Sequence, residues 1–151
     1  MCKSLMLALA LLTAVPGYGQ TTGYYPKGGA DVIADDVSLI QLIANPLAYD
    51  GRVVRIVGFL HLEFEGDVIY LHEDDFRYGL TKNGIWIDLP RDISSKQRKA
   101  VNGHYVICTA KFVASMHGHM GMNSGEVENV TRLEVWSAYR GAPPPPKPVQ
   151  H

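Results

Sequence analysis

The run Arg52-Val53-Val54-Arg55-Ile56-Val57-Gly58-Phe59-Leu60-His61-Leu62-Glu63-Phe64 limits this chain more than any other feature. Its β-branched and aromatic residues read as one long strand. A strand of that length has to bend to stay on a small core. Gly58, at its centre, is the expected place for a bend or bulge, because an interior glycine weakens pairing and permits a kink. Asp50-Gly51 turns the chain into the run. Glu65-Gly66-Asp67 is a tight-turn signal leading out of it, with Val68-Ile69-Tyr70-Leu71-His72 as the hairpin partner.

The rest of the chain fits around that hairpin. Ser38 is a candidate N-cap for a short helix over residues 39–44, which Asn45-Pro46 stops. A polar excursion from Glu73 to Asn83 precedes a third strand at residues 85–89. Ser94 caps a second helix through Val101, Asn102-Gly103 ends it, and two further strands follow at 104–113 and 127–136. The expected architecture is mainly β. It is a five-stranded antiparallel barrel of the oligonucleotide/oligosaccharide-binding (OB) kind, with a helix between strands three and four and a short N-terminal helix. The barrel domain is expected over residues 37–139.

Outside that domain the sequence changes character. Lys3, an apolar run over residues 5–15, and the small residues Gly17 and Gly19 before Gln20 read as a secretory signal peptide spanning residues 1–19. A run of that length is too short to cross a bilayer, which needs about 20 residues. The expectation is therefore a periplasmic or secreted protein with no membrane span. Residues 20–36 lack periodicity and read as a flexible leader. Residues 140–151 hold Pro143 to Pro146 and Pro148, which favour an extended polyproline helix. Loss of the signal removes Cys2 and leaves Cys108 without a disulfide partner. It lies in a strand-like run where a thiol is best buried as a small core residue.

The 151 residues are 46% hydrophobic and 19% charged, enough apolar content for one core and too little charge for disorder. Fourteen Lys and Arg against fifteen Asp and Glu give no broad basic footprint, so nucleic acid is not an expected partner.

Three stretches carry a resemblance. Gly58-Phe59-Leu60-His61-Leu62-Glu63-Phe64-Glu65, Gly118-His119-Met120-Gly121 and Glu128-Asn129-Val130-Thr131-Arg132-Leu133-Glu134-Val135-Trp136 resemble a set of small exported bacterial proteins with OB-like barrels. The likeness spans about residues 37–136. It implies the fold and supplies no activity.

Barrels of this kind bind through the loops joining strands one to two and four to five. Here the first loop, Glu63-Phe64-Glu65-Gly66-Asp67, is acidic. The second, residues 115–125, holds Met116, His117, His119, Met120 and Met122 among glycines. Thioethers and imidazoles suit Cu(I), so these five are candidate metal ligands. The plain alternative is a methionine folding back over the barrel mouth beside solvated histidines. A hairpin turn at Glu65-Gly66 sets His61 opposite Tyr70, and one at Gly66-Asp67 sets it opposite His72. Either register puts His61, Glu63, Tyr70 and His72 on one face, where two imidazoles and a carboxylate suit zinc. That face equally reads as the solvent side of a half-buried hairpin. Trp86 would serve as a binding platform if exposed. Glu73-Asp74-Asp75 reads as a solvated loop.

No Gly-x-Ser-x-Gly pattern or papain-like cysteine context occurs. The expectation is a non-catalytic binding module whose two loops contact a protein, peptide, glycan or cation. A copper carrier is the alternative, and a hydrolase around His61, Glu63 and His72 stands behind it.

Overall fold

The computed structural model describes residues 23–26 and 32–137. The signal peptide expected at 1–19, most of the leader and the proline-rich tail at 140–151 lie outside the described residues. Six strands form in chain order: β1 (Asp35–Asp36), β2 (Val53–His61), β3 (Val68–Tyr70), β4 (Gly84–Ile87), β5 (His104–Val113) and β6 (Glu126–Val135). The five expected strands are β2 to β6. Three helices join them: α1 (Leu39–Ala44), α2 (Glu73–Arg77) and α3 (Ser95–Val101).

The sheet runs β1-β2-β3-β4-β6-β5, and a further pairing of β5 with β2 closes the last five strands into a barrel. The expected purely antiparallel ring is corrected here, since β4 and β6 run parallel through Trp86↔Glu126 and Ile87↔Val127. The reason is topological. Directions cannot alternate all the way round a ring of five, so an odd closed barrel must contain a parallel neighbour pair.

Inward residues of β2 alternate as expected, with Val54, Ile56 and Leu60 buried. Gly58 takes the remaining inward position for a reason other than a bulge. Pairing of β2 with β5 runs unbroken from Val53↔Lys111 to Leu60↔His104. A Cβ at position 58 would overlap Ile69, the Leu39 side chain and the Tyr70 carbonyl. Glycine is therefore a packing requirement, and the one register shift in the ladder falls between Thr109 and Lys111, where β5 meets β6.

Both expected N-caps form. Ser38 accepts from the Gln41 amide, and Ser94 accepts from the Gln97 amide. Each glutamine side chain accepts in return from its cap's backbone amide, completing two capping boxes. α1 sends Leu39 and Leu42 into the core, and α3 sends Val101.

The segment expected to be a leader contributes two stretches to the sheet. Asp35 and Asp36 lie parallel to Val54 and Arg55, where Arg52 holds Asp35 at 2.8 Å and Arg55 holds Asp36 at 3.2 Å. Tyr24 bridges to Leu133, is buried in the core and donates its hydroxyl to Asp92 at 2.9 Å. Neither stretch has periodicity, because two residues and one residue are too short to show any.

Candidate functional site

The hairpin of β2 and β3 sets the site. Its register is Phe59↔Tyr70, Leu60↔Ile69 and His61↔Val68, two residues from the nearer expected pairing. The cause is Asn102 at the end of α3. Its Oδ1 accepts from the Leu62 amide at 2.8 Å and its Nδ2 donates to the Leu62 carbonyl at 3.2 Å. Leu62 is thereby taken from the ladder, and the connection widens to residues 62–67. Arg98, also on α3, lies 3.4 Å from Asp67. Burial nonetheless outweighs that guanidinium and raises the Asp67 carboxyl above the usual range.

A two-residue slip preserves which face each residue occupies, so three of the four expected polar residues still share the outer face. His61 Nε2 lies 3.5 Å from Glu63 Oε2. The Tyr70 hydroxyl is pushed above its ordinary value, first by burial and then by the charge of Glu63. His72 leaves this face. β3 ends at Tyr70, and the His72 amide caps α2 by donating to Asp75 Oδ2 at 2.8 Å. Among the described residues no group of three His, Cys, Asp or Glu side chains is placed to hold a metal ion, so the zinc arrangement expected of His61, Glu63 and His72 does not assemble.

α2 has no counterpart among the expected elements, and it corrects the expected solvated loop at Glu73-Asp74-Asp75. Asp75 is buried, accepting from the His72 amide and from Asn83 Nδ2 at 2.7 Å. Glu73 pairs with Arg77 across one helical turn at 2.7 Å. The helix lays Phe76 on the barrel's outer face, its ring stacked on His61 with centroids 3.6 Å apart, beside Phe59 and Tyr70. This second apolar cluster, Phe59, Val68, Tyr70, Phe76 and Trp86, leaves β3 buried on both sides. A one-turn helix with a single apolar residue has no readable period, although Asp75 at N3 of a capped turn was a usable signal.

Trp86 is only half-buried, yet it is not an open platform. Gly118 packs on its indole, and any Cβ there would overlap the ring. Residues 115–125 are thus drawn across the outer face. Lys82 donates to the carbonyls of Gly121 and Asn123 at 3.2 and 3.3 Å, Asn123 donates to Thr81, and Ser124 donates to Lys82. The methionines do not fold back: Met116, Met120 and Met122 are all exposed, Met120 at 81%.

The two loop tips meet. His119 Nε2 lies 3.5 Å from Glu65 Oε2, with Phe64 beside it in sequence at 92% exposure. Glu65 and Met120 are two of the three described non-glycine residues with positive φ, at 57° and 56°. Such backbone costs about 1–3 kcal/mol per residue and persists only where its surroundings hold it.

No protein-family profile and no curated protein matches the chain. Among solved structures it is similar to a Leishmania major Friedlin protein called a "putative aspartyl-tRNA synthetase", with 7% identity and a TM-score of 0.41. That similarity covers 74% of this chain and 22% of the other, so the chain spans about a fifth of that protein's length.

Proposed function

We propose that this chain is an exported, non-catalytic binding module of the OB-like kind, acting in the periplasm or after secretion. Its contact surface is the joint rim of residues 62–67 and 115–125. The observation that carries the reading is the Glu65–His119 approach, which makes one surface of two loops distant in sequence. The strand order, with β4 beside β6 and β5 closing on β2, supports the OB-like assignment. The occupant is a protein or peptide segment with basic and apolar side chains. Glu63 and Glu65 supply exposed negative charge, and exposed Phe64 and Met120 supply apolar area that the fold itself does not use.

A second reading is a soft-metal carrier loading Cu(I) on Met116, His117, His119, Met120 and Met122. The exposure of all three thioethers favours it, since none is consumed in packing. One experiment separates the two. A photo-crosslinking residue replaces Phe64 in one chain and Leu47, on the exposed turn after α1, in another. The module reading expects one partner captured from position 64 and none from position 47, with capture unchanged when a Cu(I) chelator is present. Equal capture from both positions would overturn it. The carrier reading expects Cu(I) binding that Met120→Ala and His119→Ala abolish, and binding indifferent to both would end it.

A further inference from the structure

Away from the rim, a groove of about 340 Å³ opens on the outer side of β2 and β5 beside the end of β6. Its apolar lining is Val37, Val57, Ile107 and the Trp136 indole, and its polar edge is Arg55 with Asp36. Outward positions on a barrel strand are normally polar. Here Val57 is 37% exposed and Trp136 49%. The Arg55 guanidinium is partly exposed, and its Nη1 donates to Asp36 at 3.2 Å; its Nε is buried and has no partner among the described residues.

We propose that this groove binds the chain's own proline-rich segment, residues 143–148, as an extended polyproline helix. Three observations converge on that occupant. The first is chemical. Proline rings pack well on an indole flanked by aliphatic side chains, and a polyproline helix arrives already ordered. The second is hydrogen bonding. Pro143 to Pro146 carry carbonyl acceptors and no amide donors, which complements a groove whose polar edge carries the partly exposed, donor-only guanidinium of Arg55. Lys147, inside the same segment, matches the exposed carboxylate of Asp36 in charge.

The third is connectivity. The described chain leaves the groove's own rim at Trp136, and six residues separate that indole from Pro143. Six residues reach at most about 20 Å, enough to turn back onto a groove that begins where they do. Attachment by a short tether holds the segment at a local concentration in the millimolar range, so a weak intrinsic affinity suffices. The groove shares no lining residue with the rim, so this inference stands whether or not the rim binds a peptide.

The test uses the full chain, labelled with ¹⁵N. Wild type is compared with a variant in which Pro143, Pro144, Pro145 and Pro146 are all serine. The expected result is a change in the Trp136 indole resonance and in the Val57 and Ile107 amides, with Val68 unmoved on the other side of the hairpin. Identical spectra at all three positions would overturn the proposal. A nitroxide attached at Val149→Cys in a Cys2→Ser background then identifies the source of the segment; Cys108 is buried and does not compete for the label. Loss of the Trp136 indole resonance that persists on dilution with unlabelled chain supports binding within one molecule. Loss that disappears on dilution makes the occupant a second copy and overturns the proposal as stated.

Discussion

Glu126 is where the electrostatics of the barrel wall act most plainly on a single residue. Burial comes first, then the like charges of Asp88 and Glu128, and together they raise its carboxyl above the ordinary value against one opposing bond from the Gly118 amide. A carboxyl raised on folding stabilises the folded chain below its unfolded titration range. That contribution is lost as pH rises through the folded value. Glu126→Gln keeps an acceptor for the Gly118 amide and removes the charge. Its melting temperature is expected to exceed wild type at pH 7 and to match it near pH 3. A lower melting temperature at pH 7 would mean that anchoring the 115–125 loop outweighs the desolvation. Cys108 shows the same desolvation acting on a group with no charged neighbour: full burial pushes its thiol up to about 12, leaving it an inert core residue. That role was legible from the strand-like run around it. The role of Glu126 was not, because Asp88 and Gly118 come from other elements.

At the scale of elements, α2 decides what the outer face looks like. Without it, Phe59, Tyr70 and His61 would form an open aromatic strip. With it, Phe76 closes over them. Five residues cannot form a stable helix by propensity, so Asp75 and the packing of Phe76 hold it in place. Asp75→Ala strands the His72 amide and Asn83 Nδ2, at a cost of about 2 kcal/mol. Denaturant unfolding is expected to show that loss. Amide exchange should speed up in residues 73–77 ahead of β2. A loss under about 0.5 kcal/mol, within the range of an ordinary surface substitution, would show that Phe76 alone secures the helix. The caps of α1 and α3 were readable from Ser38 and Ser94 because a capping box is a local device. The hairpin register was not readable, because the residue that ends it, Asn102, lies forty positions away.

Over the whole molecule, closure makes one core of the five barrel strands, the helices packed on them and the docked Tyr24. Tyr24 contributes a buried ring, two backbone bonds to Leu133 and a hydroxyl bond to Asp92. Because that ring packs into the shared core, its loss is felt by the entire fold. Tyr24→Ala is expected to cost about 3 kcal/mol and Tyr24→Phe about 1 kcal/mol. Both should appear as a shift of a single cooperative transition. A separate early transition, with the main one unmoved, would show the leader fraying by itself.

By itself the sequence determined what depends on neighbours within a few positions: the alternation that makes β2, β5 and β6, the serine caps, the stop at Asn45-Pro46 and the inward-facing cysteine. It also contained the strand count, from which one parallel pair follows once the ring closes. Tertiary structure alone decided which loops meet, where the hairpin ends, that α2 covers the aromatic face, and that Gly58 is required by packing. Those outcomes depend on contacts such as Leu62 with Asn102, Trp86 with Gly118 and Glu65 with His119, whose partners are brought together only when the barrel closes.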